Sequence, residues 1–85
     1  MSFGFIQFEA GKCYHVINIE GMRTNKFVRI DRTEAIYEGN NRHYGDVVGK
    51  DWVKSNILIY YNKRFWREEE ITQEEFEKHW MKEMI

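Results

Sequence analysis

In the last stretch of the chain, Phe76, Trp80 and Met84 recur every four residues, whereas the strongest apolar runs upstream recur every two. That change of period constrains the fold more than any other feature, because a period of two belongs to half-buried strands and one near four to an amphipathic helix. The spacing predicts a helix over 72–84. Thr72 and Glu75 form a capping box, and Ile71 and Phe76 stand at the staple positions around it. Glu74, Glu75 and Glu77 lie early and Lys78 and Lys82 late, as the helix dipole favours. A strand-built body, 1-67, followed by one helix, 72-84, is therefore expected.

Upstream, Phe3, Phe5, Ile6 and Phe8 read as a first extended segment, and Gly11 separates it from the alternating run "KCYHVINI". "KFVRI" follows a polar turn region with Gly21, Thr24 and Asn25. Asp31-Arg32-Thr33-Glu34 reads as a type I turn leading into "AIYE". "NILIYYN" is expected to pair with "RFWR" as a hairpin across Asn62-Lys63, setting Tyr60 against Phe65 and Ile59 against Trp66. Both faces of that hairpin are apolar, which calls for a barrel interior on one side and the helix on the other. One of Phe65 and Trp66 then points inward and the other lies under the helix, while Glu68 to Glu70 lead towards the helix start.

Eighty-five residues make a single domain, 1-85, and a chain this short buries only about 60–65% of its unfolded surface. With 42% hydrophobic and 32% charged residues it reads as globular. No apolar run approaches the ~18 residues of a membrane span. Glu9 and the lack of a basic start argue against a signal peptide, and the single Cys13 fits a reducing, cytoplasmic setting. The net charge of −1 conceals a polarity: residues 22–67 hold ten Lys/Arg against five Asp/Glu, and residues 68–85 hold two Lys against seven Glu.

The order "FEAGKCY", "VRIDRT" leading into "AIYEG", then "ILIYYN" resembles small bacterial and phage proteins that look like Src-homology-three-like barrels. Phe8, Gly11, Lys12, Tyr14, the Arg32-Thr33 pair and the late Ile-rich strand carry the likeness, over residues 8 to 67. The segment after Gly39 and the acidic helix depart from it. The resemblance implies a mobile-element or phage origin and brings no catalytic residues. The expected fold class is α+β, mainly β: a small, strongly bent antiparallel sheet or Src-homology-three-like barrel of five to six strands, with a C-terminal amphipathic helix packed on it.

The chain is read as no enzyme, with no cofactor and no metal. Cys13 and His15 share a strand face, but nothing in the sequence supplies an orienting group or an oxyanion site. His43 and His79 are not at ligand spacing from that pair or from each other. "GDVVGKD" has one residue too few between its glycines for a phosphate loop, and Asp51 stands where Ser or Thr would hold magnesium.

Contact residues are the remaining prospect. Fourteen aromatics exceed what one small core easily encloses, and aromatics with Arg anchor protein interfaces. "GNNRHYGDVVGKDWVKS" reads as a long loop or a short element of its own, with Arg42, His43, Tyr44 and Trp52 as contacts. Lys54 and Arg64 complete the partner-binding candidates. The expected function is a non-enzymatic protein-binding module which, in the version the resemblance implies, inhibits a host factor. The alternative is nucleic-acid binding through Arg29, Arg32, Arg42, Lys54, Arg64 and Arg67 among the aromatics. A homodimer through an open strand edge, or through Trp80, Met81, Met84 and Ile85, is a third expectation. No membrane partner is expected.

Overall fold

The computed structural model describes residues 4–37 and 40–84, with only the backbone of Tyr37. The expectations resting on Phe3, Gly39 and Ile85 lie outside the described residues. Five strands and one helix follow in order: β1 (Cys13–Asn18), β2 (Lys26–Tyr37), β3 (Asn40–Gly49), β4 (Trp52–Ile59), β5 (Trp66–Ile71) and α1 (Gln73–Met84). All neighbours are antiparallel, in the order β4-β3-β2-β1-β5. The fold is mainly β, α+β, with the helix packed on one face of the sheet. No helix among the described residues is long and apolar enough to cross a membrane.

The sheet is neither closed nor strongly curled, so the barrel expectation is corrected. Its edges, β4 and β5, do not pair. A tight turn does form at Asn62: its side-chain Oδ1 accepts from the Arg64 amide at 2.8 Å, and its carbonyl accepts from Phe65 and Trp66 at 3.0 Å each. The turn redirects the chain without closing a hairpin. On its β4 side the neighbouring backbone is taken by the N-terminal segment, where Ile6 donates to the Tyr61 carbonyl at 2.9 Å and Lys63 donates to Gly4 at 3.0 Å. β5 instead pairs with β1, from Cys13↔Ile71 to Asn18↔Trp66. Glu68, Glu69 and Glu70 are thus strand residues rather than a lead into the helix.

Two further expectations change. Asp31 to Glu34 do not turn; β2 runs through them, and a register shift between Ile30 and Arg32 absorbs the irregularity. Gly45, opposite Ile30, permits it, because a Cβ there would collide with the Arg29 carbonyl oxygen. The segment read as a long loop is β3, the turn at Lys50-Asp51 and the start of β4, with Asp51 at φ 59°.

Each sheet face carries its own apolar cluster. Tyr14, Val16, Val28, Ile30, Val47 and Ile59 line one face, and Ile6 and Phe8 from the N-terminal segment cover them. Ile57, Tyr61 and Trp66 pack at the margin of this cluster. Trp66 lies edge-on to Tyr61 at 4.9 Å, and neither it nor Phe65 belongs to the cluster under the helix. The other face presents Cys13 and Val48 to Phe76, with Phe27, Val53, Ile71 and Trp80 around them. Thr72 caps the helix as expected, accepting from the Glu75 amide at 3.0 Å.

Candidate functional site

The structure disperses the contact residues read from the sequence. His43 is 2% exposed and structural: Nε2 accepts from the Phe8 amide at 3.2 Å, and Nδ1 lies 3.0 Å from Thr33 Oγ1. Because Nε2 accepts, Nδ1 carries the proton and Thr33 receives it. Burial lowers the pKa of this ring below its ordinary value. Tyr44 is half-buried, with the Arg32 guanidinium 4.0 Å above its ring, and Arg42 is exposed opposite Glu34. Trp52 and Lys54 project from one face of β4, and Arg64 lies 5.5 Å from the Phe65 ring.

Three of the proposed phosphate-binding cations are already engaged. Arg29 contacts Asp46 at 2.8 Å and lies 4.8 Å and 5.7 Å from the Phe76 and Trp80 rings, which places it in the junction between sheet and helix. Arg32 pairs with Glu34 and Arg67 with Glu69. On the helix, Trp80 packs towards the sheet beside Phe76, leaving Met81 and Met84 exposed. The expected oligomer face is therefore reduced to two methionines among the described residues.

The two sheet edges differ in chemistry. β5 carries Arg67, Glu68, Glu69 and Glu70, all exposed. Charges of this kind keep an edge from pairing with another strand. β4 carries Lys54 and then a bulge, where Asn56 has φ 53° and its amide donates to Asp46 Oδ1 at 3.2 Å. Beyond the bulge, Ile57 to Tyr60 hold no charge. Leu58 and Tyr60 are 43% and 64% exposed, and Phe5 meets Tyr60 edge-on at 6.0 Å. A groove of about 430 Å³ opens beside them, with Phe5, Ile36, Leu58 and Tyr60 as its apolar wall and Arg42 at its rim. Gln7, also on this groove, holds a buried Oε1 with no hydrogen-bond partner among the described residues.

A second groove, of about 300 Å³, lies on the same sheet face beyond the N-terminal segment. Val47 and residues 57–60 line it with Trp52, Tyr61 and Trp66, and Arg23 borders it, so Leu58 and Tyr60 are shared with the first groove. Burial pushes the Tyr61 phenol up to about 12. Lys26 reaches this site across Gly49, where a Cβ would meet its Cδ at 2.6 Å, and its Nζ lies 5.9 Å from the Trp52 ring centre.

Asn18, 6% exposed, fixes Arg23. Its Oδ1 accepts from the Met22 and Arg23 amides at 3.0 and 3.4 Å, and its Nδ2 donates to the Phe65 carbonyl at 3.2 Å. Arg23, Lys26, Tyr61, Phe65 and Trp66 were not singled out in the sequence as parts of one site. "RFWR" was the only signal pointing there.

Cys13 is buried against Val48 and Phe76, and that burial raises the pKa of its thiol. His15, two residues on, stacks on Phe27 at 4.5 Å, and His79 stacks on Phe27 at 3.7 Å. Among the described residues no three His, Cys, Asp or Glu side chains converge in a metal-binding arrangement. Comparison with protein-family models, curated proteins and solved structures finds no match.

Proposed function

We propose that the protein is a non-enzymatic protein-binding module that takes an extended, apolar segment of a partner protein as a sixth strand beside β4. The observation that carries this reading is the contrast between its edges: acidic along β5, uncharged and apolar from Ile57 at the end of β4 to Tyr60 just beyond it. Main-chain hydrogen bonds to an edge provide affinity, and alternate side chains of the incoming strand provide specificity. The groove beside Leu58 and Tyr60 would receive those side chains. In the version that the sequence resemblance implies, the segment belongs to a host factor that the module inhibits.

The test is selection of extended eight-residue peptides from a displayed library, followed by hydrogen exchange on the complex. Selected peptides are expected to slow exchange at amides of residues 57–60, and Leu58→Lys is expected to weaken them at least about tenfold. A library without binders, or protection confined to other strands, would overturn the reading.

A further inference from the structure

We propose that the second groove, which borders residues 57–60 on its other side, binds single-stranded nucleic acid, with bases against Trp52 and Trp66 and phosphates held by Arg23 and Lys26. Three observations support it.

The first is the company of aromatics and cations. Trp52 is 38% exposed, Trp66 is half-buried on the same groove, and Phe65 shares an adjoining hollow with Arg23 and Trp66. Flat rings beside cations form the stacking platform and backbone track of single-strand binding, whatever the base sequence. A groove of about 300 Å³ sits at the lower end of the range for small-ligand pockets, roughly 300–1,000 Å³. That suits a splayed base better than a stacked duplex.

The second is uncompensated charge. The ion pairs among the described residues engage Lys12, Arg29, Arg32 and Arg67, whereas Arg23, Lys26, Lys54 and Arg64 enter none. Lys26 donates to the Thr24 carbonyl at 2.9 Å, and its pKa is lowered first by burial and then by Arg23. An anion between the two cations would relieve both effects. Glu20 lines the adjoining hollow with Arg23 and Phe65, so the phosphate path runs on the Lys26 and Trp52 side.

The third is the position of the acidic helix. Glu74, Glu75 and Glu77 belong to α1, which packs on the Cys13 and Val48 face. The groove lies on the opposite face with Val47 and Ile57, so these carboxylates do not cover it.

Ten-residue oligo-dT and oligo-rU, each labelled at one end, are titrated into the full chain at 20 and 150 mM salt while tryptophan fluorescence is followed. Binding should quench that fluorescence and weaken with salt, with a log–log slope of about −1.4 for the two phosphates held by Arg23 and Lys26. Trp52→Ala should weaken binding at least about fivefold. Arg23→Glu with Lys26→Glu should abolish it while melting stays cooperative. Gly49→Ala, which displaces Lys26, should weaken binding with little loss of stability, and Met81→Ala, on the exposed side of the helix, should leave it unchanged. Absence of binding at 20 mM salt would overturn the proposal, as would equal binding of duplex DNA. Equal competition by a poly-glutamate peptide would do so too, by making the site one for acidic protein segments.

Discussion

The amide of Phe8 donates to His43 Nε2 at 3.2 Å, tying the N-terminal segment to the interior strand β3. A proton on Nε2 would abolish that bond and place charge in the core. The native ring therefore titrates below the unfolded histidine's ordinary value, near 6.5, and burial moves His15 in the same direction. A depressed folded-state pKa makes stability complete above about 6.5 and lost as pH falls below it, because the unfolded chain then binds more protons. Urea midpoints should be equal at pH 7.5 and 8.0 and lower at pH 5.5. His43→Gln should unfold more readily at pH 7.5 and show a shallower decline. A midpoint that rises on acidification would refute this account.

Two glycines on β3 should respond unequally to one added methyl. At Gly45 the methyl meets the Arg29 carbonyl, which is fixed in the sheet; at Gly49 it meets the movable Lys26 side chain. Gly45→Ala should cost about 3 kcal/mol or more, and Gly49→Ala less than about 1 kcal/mol. In a domain of this size the first loss lowers the melting temperature by roughly 12 °C or more. Thermal melts of both variants check it, and equal costs would show that β2 yields opposite Gly45.

These glycines mark where sequence reading failed. Asp31-Arg32-Thr33-Glu34 has turn-forming residue types, but the bulge that keeps β2 extended depends on Gly45, fourteen positions from Asp31 and on another strand. The Asn62 turn was legible because its hydrogen bonds are local; its consequence was not, because Gly4 and Ile6 compete for the neighbouring backbone. The Thr72 cap, the inward face of Phe76 and the alternation of β1 were legible because each rests on neighbours a few residues apart. The Lys26–Trp52 approach depends on a crossing over Gly49, and no pattern along one strand encodes it.

Helix docking can be read through Cys13. Its thiol is 2% exposed beneath Phe76, which is itself fully buried. Phe76→Ala should cost about 3–5 kcal/mol and open a path to the sulfur. Reaction with a disulfide reagent in native buffer should be slow in the parent chain and accelerate at least about tenfold in the variant, in step with the lost stability. Met81→Ala, on the exposed side of the helix, should change neither quantity. A thiol equally reactive in the parent would mean that α1 leaves the sheet readily.

The acidic edge should act as a guard against self-association. In an antiparallel contact between two β5 strands centred on Glu69, that residue would face its own copy and Glu68 would face Glu70. Directly opposed like charges disfavour such pairing. Replacing Glu68 and Glu69 by Thr removes most of the repulsion, raises strand propensity and leaves Glu70 beside Lys12. Both replaced side chains are exposed, so stability should change by no more than about 0.5 kcal/mol. Light scattering over a hundredfold range of concentration should show the double variant associating where the parent does not, in high and low salt alike. Adding Leu58→Lys to the double variant should not reverse this, because the new contact is on the opposite edge. A double variant that stays as dispersed as the parent would mean that shape or twist, rather than charge, protects β5.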